Sequence, residues 1–325
     1  MNRTTVGVVG AGGIAHPHLQ AWADLGYQAL VFSTDGNAPA VAAQYGARAC
    51  RSLQELIDGS EIVDVCAPTA VHDELVLAAA AAGRHVVCEK PLALSHSRAV
   101  AMIEACRSAG VQLYPGQVVR FFPAYAAARE SVLAGRIGTP AVLRFTRRGA
   151  TPVAPWFADP ALSGGLMVDQ MIHDFDFARW IAGEVVAVQA KQLGGNGSPI
   201  IGLVVLTHAD GALSHVLGGW GRPNEPFRTS FALAGAAGLI RYSSADRPSL
   251  RFDDQEPGRG GGALLPETNG VSPYRTELAE FAAAFAGGPA PRVSAADSLA
   301  ALDIALAATV SVRTGDPVDP REMTA

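Results

Sequence analysis

Lysine is almost missing from this chain. Of its 25 basic side chains only Lys90 and Lys191 are lysine, and the rest are arginine. No basic tract or arginine stripe occurs and the formal net charge is −5, which argues against nucleic acid as a partner. Long hydrophobic runs are scarce as well: "LVLAAAAAG", from Leu75 to Gly83, is about half of the ~20 residues a membrane span needs, so no membrane partner is expected. The opening "MNRTTVGVVG" enters a strand pattern directly and leaves no room for a signal peptide, so a cytoplasmic location is expected. Cysteine is limited to Cys50, Cys66, Cys88 and Cys106, without C-x-x-C spacing and mostly in apolar runs. Such residues read as buried reduced thiols, not as a disulfide framework or a zinc site. The Gly-rich stretch 256–273 lacks a following Gly-Lys-Ser/Thr, which excludes a P-loop and leaves a long loop.

What remains is a globular chain of 325 residues, 49 % apolar and rich in alanine, too long for one hydrophobic core. Up to about residue 117, short β-type runs alternate with Ala-rich helical segments. The strands are expected at 4–10, 28–33, 61–68, 85–88 and 111–116, with helices near 13–25, 39–45, 69–82 and 95–109. Near-continuous apolar strands separated by helices build a parallel sheet covered on both faces. After Arg120 the pattern changes. Two helical stretches, 123–134 and 166–182, are joined by strands at 141–149, 185–193, 200–209 and 212–221, with two more continuing to about Ser243. Asp210-Gly211 marks a hairpin between two of them. Helices near 274–286 and 295–312 close the chain. The expected architecture is therefore an α/β Rossmann-type domain over 1–120 followed by an α+β domain over 121–325. The second carries a large, mostly antiparallel open sheet, and the C-terminal helix is free to pack back on the first.

"VVGAGGIAHPH" supplies Gly10-Ala11-Gly12-Gly13-Ile14-Ala15, a G-x-G-x-x-A turn between the first strand and the first helix. Gly10 permits the tight turn, Gly12 lets the backbone approach a pyrophosphate, and Ala15 keeps the helix close to the strand. In this context the motif predicts a bound NAD or NADP. The second strand ends in Ser33 and Thr34, where NAD sites usually carry an acid, and Asp35 follows slightly late. A small hydroxyl leaves room for a 2′-phosphate, which leans the expectation towards NADP.

Lys90 follows the apolar run "HVVCE" and precedes Pro91, which keeps it out of the α region and permits a cis bond. It is expected at the carboxyl edge of a central parallel strand, where open α/β sheets bind ligands. In "GGLMVDQMIHDFDFARWIAG", Asp169 and His173 are four apart and share one helical face. An Asp can orient an imidazole that moves a proton near neutral pH. The same pair would also serve as a salt bridge or as two metal ligands, but no further ligand stands at suitable spacing, and no metal is expected.

Several of these motifs occur in one order: G-x-G-G-I-A, "APTAVH", "EKP", "RFFP" and "GG…D-x-x-x-H-D". Together with "AGRIGTP" and the ending "SAADSLAALDIALAATVSVRTGDPV", they resemble the Gfo/Idh/MocA oxidoreductases over nearly the whole chain. The resemblance implies a Rossmann domain followed by a sheet domain, NAD(P), and a carbohydrate, polyol or related carbonyl substrate. It assigns Lys90, Asp169 and His173 to catalysis, with His173 as acid or base and Lys90 as donor to the reacting oxygen. Pro68, Thr69, His72 and Glu89 would join the cofactor site. It also implies a homodimer or homotetramer packed through the open face of the second sheet. Arg120, Arg148, Trp156 and Tyr274 are candidates for lining a substrate pocket. Two other activities remain open at this level: an NAD-dependent glycosidase working by transient oxidation and elimination, and a cofactor-binding regulator without catalysis.

Overall fold

The computed structural model describes residues 4–195, 198–246 and 270–323. The chain divides into two compact units, one comprising 1–122, 161–163 and 267–299, the other 123–160, 164–266 and 300–325.

The first unit is built on six parallel strands: β1 (Thr5–Val9), β2 (Gln28–Phe32), β3 (Arg48–Ala49), β4 (Ile62–Val65), β5 (His85–Glu89) and β6 (Leu113–Gly116). Their order, β3-β2-β1-β4-β5-β6, is that of a doubly wound dinucleotide-binding sheet, with the direction of winding switching between β1 and β4. Val6, Val8, Val63, Val65, Val86 and Val87 are fully buried, as expected of strands covered on both faces. The connecting helices are α1 (Ala15–Asp24), α2 (Ala38–Gln44), α3 (Leu53–Asp58), α4 (His72–Ala81) and α5 (His96–Ser108). Ser52 and Ser95 cap α3 and α5 by accepting the backbone N–H groups of Glu55 and Arg98. β3 and α3 are absent from the sequence expectation, because two and six residues are too short to show a period.

The second unit opens with α6 (Pro123–Leu133) and holds a mixed six-stranded sheet. Its strands are β7 (Pro140–Ala150), β8 (Val185–Gly195), β9 (Ser198–His208), β10 (Leu213–Gly221), β11 (Arg228–Gly235) and β12 (Leu239–Ser243), in the order β12-β11-β7-β10-β9-β8. Only β7 and β10 run parallel; the other neighbours are antiparallel. The Asp210-Gly211 hairpin is present, with Gly211 at φ +87°. Two short turns of helix, α7 (Pro155–Ala158) and α8 (Pro160–Ser163), precede a π-helical turn at Met167–Met171 that runs into α9 (Ile172–Ala182). This helix covers one face of the sheet, where Tyr125, Phe145, Phe177 and Phe231 meet edge-on or tilted at 4.7–5.8 Å. Within the same layer Arg147 makes two parallel bonds of 2.9 Å to Asp174 on α9, both residues being buried. On the other face Ile201, Leu203 and Leu213 are 40, 48 and 37 % exposed.

Two helices complete the chain. Pro273–Phe285 (α10) belongs to the first unit and packs on α1, with Phe281 stacked on Tyr114 at 5.2 Å. Ala295–Thr314 (α11) is long and apolar enough to cross a membrane by length and composition, although the sequence showed only shorter runs. Its Ser311 hydroxyl accepts the Ala190 N–H of β8 at 2.9 Å, and Leu302, Ala305 and Ala308 are fully buried, which is the behaviour of a core helix. The four cysteines are free and buried. The Gly-rich stretch lies outside the described residues as far as position 269.

Candidate active site

The turn after β1 has the conformation its glycines predict. Gly10 sits at φ +114°, and a Cβ there would come within 2.5 Å of the Cys66 carbonyl oxygen, so both torsion and space demand glycine. A Cβ on Gly12 would meet nothing within 4 Å, so the protein leaves the space beside it open. Gly13 and Ile14 lead into α1, whose first residue, Ala15, is fully buried against the sheet. No side chain caps this helix and no acid occupies its first turn, so its N–H groups face that space as an anion site. These features fit the pyrophosphate of a dinucleotide. Just beyond β2, Ser33 Oγ donates to Asp35 Oδ1 at 2.7 Å, and Asn37 donates through its backbone N–H and its amide to the same carboxylate. These donors hold the Asp35 carboxyl below its ordinary range, led by the Asn37 backbone, while Thr34 stays exposed beside it.

At the adjoining strand ends, Pro68 and Thr69 form the turn after β4, and His72 begins α4. His72 is buried. Its Nε2 lies 2.8 Å from the Ala67 carbonyl oxygen and its Nδ1 2.9 Å from that of Pro91, so the ring bridges the β4 turn and the β5 turn, and when neutral its single N–H donates to one of the two carbonyls. Burial lowers its pKa against the pull of those carbonyls. Lys90 stands one residue beyond β5, half-buried, and its bond to Pro91 is cis. Its backbone N–H donates to Oε2 of Glu89 at 3.0 Å.

Glu89 leads into a polar cluster that sequence reasoning missed. Its Oε1 is 3.1 Å from His18 Nε2; His18 Nδ1 is 2.9 Å from Asp64 Oδ2, which also accepts the Trp22 indole N–H at 2.7 Å. His18 and Asp64 are fully buried, on α1 and the central strand β4. Burial opposes charge on the imidazole, but the neighbouring Asp64 carboxylate outweighs it and holds its pKa well above 6.5. Burial raises the Cys66 thiol to about 12, so it stays protonated. Among the described residues His18, Asp64 and Cys66 are close enough to be metal donors, within 4.8 Å of one another. The His18 and Asp64 donor atoms are already hydrogen-bonded within the cluster. From α10, Tyr274 places its ring 5.7 Å from that of His18, and Glu277 is fully buried with both carboxyl oxygens unpartnered. A sequence signal existed: an acid inside the apolar strand "EIVDVCAP" demands a buried partner.

In the second unit, Asp169 lies within the π-helical turn and His173 is the second residue of α9. Such turns recur at functional sites. Asp169 is buried and His173 half-buried, while the neighbouring Gln170 is fixed by the carbonyl oxygens of Arg147 and Gly219. Alternation along β7 turns Arg148 to the face opposite Arg147 and α9. There it pairs with Glu225 at 3.0 Å and lines a concavity of about 420 Å³ with Thr146, Arg228 and Ser243. Trp156 stacks on Phe157 at 3.7 Å. In the first unit Arg120 is buried, donating to the Arg292 carbonyl at 2.8 Å and pairing with Asp297 at 3.4 Å.

The family model described as an oxidoreductase family with an NAD-binding Rossmann fold matches residues 4–117, and the Gfo/Idh/MocA C-terminal domain matches 125–241. A myo-inositol 2-dehydrogenase of Thermotoga maritima is 33 % identical over 276 residues, 82 % of either chain. An inositol 2-dehydrogenase of Rhizobium meliloti is 30 % identical over 324 residues, covering 94 % of this chain and 96 % of that one. The solved structure of GenD2 from gentamicin A biosynthesis, in complex with NAD, superposes with a TM-score of 0.86 at 26 % identity, covering 98 % of this chain and 97 % of the other.

Proposed function

The chain belongs to the Gfo/Idh/MocA family of NAD-binding oxidoreductases, and we propose that it oxidises a secondary alcohol of a sugar, inositol or related polyol to the ketone. The observation that carries this reading is Lys90, one residue past β5, its backbone tied to Glu89 at the edge of the sheet that holds the Gly10–Gly12 turn. Bound NAD supplies the hydride acceptor. Gly10, Gly12, Gly13, Ile14 and Ala15 would hold its pyrophosphate, with Pro68, Thr69 and Glu89 nearer the nicotinamide half. His173 takes the hydroxyl proton in oxidation and returns it in reduction. Lys90 donates a hydrogen bond to the same oxygen as negative charge grows there; a compact ammonium can point at one atom, where a guanidinium presents a fixed fork. Asp169, one turn before His173, orients the imidazole.

For the cofactor, the bonded Asp35 carboxylate outweighs the lean towards NADP drawn from Ser33. Ser33 spends its hydroxyl on Asp35, and a fixed negative charge at the end of β2 accepts from a ribose hydroxyl and repels a 2′-phosphate. NAD is the cofactor this arrangement favours. The exposed Ile201, Leu203 and Leu213 support a homodimer or homotetramer formed through the open face of the second sheet.

A panel of sugars, inositols and anhydrosugars assayed with NAD and NADP by nicotinamide absorbance tests the reaction. Lys90→Ala and His173→Ala should each lower turnover about 10²- to 10⁴-fold while NADH still binds. Near-normal rates in both would sink the proposal. Sugar released without net cofactor reduction would point to oxidation–elimination, and cofactor binding without any turnover to a regulator.

A further inference from the structure

We propose that His18 is a positioning residue for Lys90, acting through the carboxylate of Glu89. The inference rests on the reading of Lys90 as the donor to the reacting oxygen. Glu89 is held through both oxygens of its carboxylate. One carboxyl oxygen, Oε2, accepts the N–H of Lys90 at 3.0 Å, so the side chain folds back onto the backbone of the residue that follows it. The other oxygen meets His18 Nε2 at 3.1 Å. On the β6 side there is no freedom either: Gly116 is the register partner of Glu89, and a Cβ there would come within 2.7 Å of Oε1. The carboxylate therefore has one seat, between the backbone of β6 and the imidazole.

His18 is fixed in turn from below. Asp64 takes its Nδ1 at 2.9 Å and is itself anchored by the Trp22 indole at 2.7 Å, one turn further along α1. The groups facing the imidazole are Asp64 from β4, Cys66 just beyond it, Glu89 from β5, and Tyr274 and Glu277 from α10. A ring that donates from both nitrogens to two buried carboxylates cannot rotate or lose a proton without leaving one of them bare, which is costly where water is excluded. An apolar contact would fill the same volume without direction. Here the directed bonds run from the central strand β4 through α1 to the residue beside Lys90. Their consequence is a fixed backbone from which the lysine side chain starts, and a shift of about 1 Å at such a group can lower a rate on the order of a hundredfold.

The scarcity of lysine makes the test direct. Protein labelled with [ε-¹³C]lysine gives signals for only Lys90 and Lys191, and Lys191→Arg assigns them. In His18→Gln the Lys90 signal should shift or broaden while that of Lys191 stays in place. In a Glu89→Gln background, His18→Gln should move it no further, which a general loosening of the fold would not reproduce. A Lys90 signal that superposes on the wild type in folded His18→Gln protein overturns the inference, as does an equal displacement with and without Glu89. Should His18→Gln fail to fold by circular dichroism, Asp64→Asn keeps the side-chain shape and an acceptor for Trp22 while weakening the hold on His18, and the same outcomes apply. In the assay, His18→Gln should lower kcat ten- to a hundredfold at unchanged NADH affinity. Full activity in Lys90→Ala would refute the role given to Lys90 and leave the spectroscopic result standing. An inactive Lys90→Ala beside an undiminished His18→Gln refutes only the positioning role.

Discussion

His72 Nδ1 lies 2.9 Å from the carbonyl oxygen of Pro91, and Nε2 of the same ring lies 2.8 Å from that of Ala67. One buried imidazole thus joins the turn after β4 to the turn that carries Lys90. The resemblance assigned His72 to the cofactor site; in the structure both its ring nitrogens face backbone carbonyls. His72→Leu should destabilise the protein by about 1–3 kcal/mol, the cost of a buried carbonyl left without a donor. It should also lower kcat more than NADH affinity. Urea unfolding and NADH titration check both, and an unchanged unfolding midpoint would rule the staple out.

Glu277 and His18 give stability a common pH trend. Burial, followed by the nearby Glu89 charge, raises the Glu277 carboxyl well above 4.5, so the folded protein keeps a proton that the unfolded chain releases above that pH. Stability falls as pH rises from about 4.5. His18, raised above 6.5, adds stabilisation that is complete below 6.5 and disappears as pH climbs through its folded value. The melting temperature should therefore decline on the alkaline side. Glu277→Gln should melt above the wild type at pH 8, by a margin that shrinks towards pH 5. A margin independent of pH would show that Glu277 holds no proton.

Removing the charge beyond β2 should relax cofactor choice. Asp35→Ser is expected to raise the ratio of kcat/KM for NADP over NAD by roughly tenfold or more, since like charges brought together cost several kcal/mol. Steady-state kinetics with both cofactors measure it. A wild-type preference for NADP would contradict the reading of Asp35.

Light scattering tests the open sheet face. The wild type should have at least twice the mass of the 33.6 kDa chain, and Leu203→Arg should shift it towards that of one chain. A monomeric wild type would dismiss this face as an interface.

Much of this was legible in the residues themselves. The apolar runs of the first sheet, the glycine turn, and the lysine before Pro91 each have local causes: burial on both faces, a positive φ, a restricted residue before proline. Asp169 and His173 emerged from a spacing of four, although the structure sets Asp169 in a π-helical turn and His173 in the α-helix that follows it. Arg120 shows where local reading runs out. Nothing near it in sequence announces that Arg292 and Asp297 take its guanidinium, 172 and 177 positions away.

The sequence by itself determined the two kinds of sheet, the cofactor turn and the chemical types at the site, because each depends on neighbours within a few residues. Only the tertiary structure decided how Lys90 is held. Asp64 and Glu89 lie 46 and 71 positions from His18, and a lone acid in an apolar strand specifies that a partner must exist without saying which. Strand order and the packing of α1 and α10 on the sheet brought those groups together, and in that low-dielectric interior the hydrogen bonds they make became obligatory.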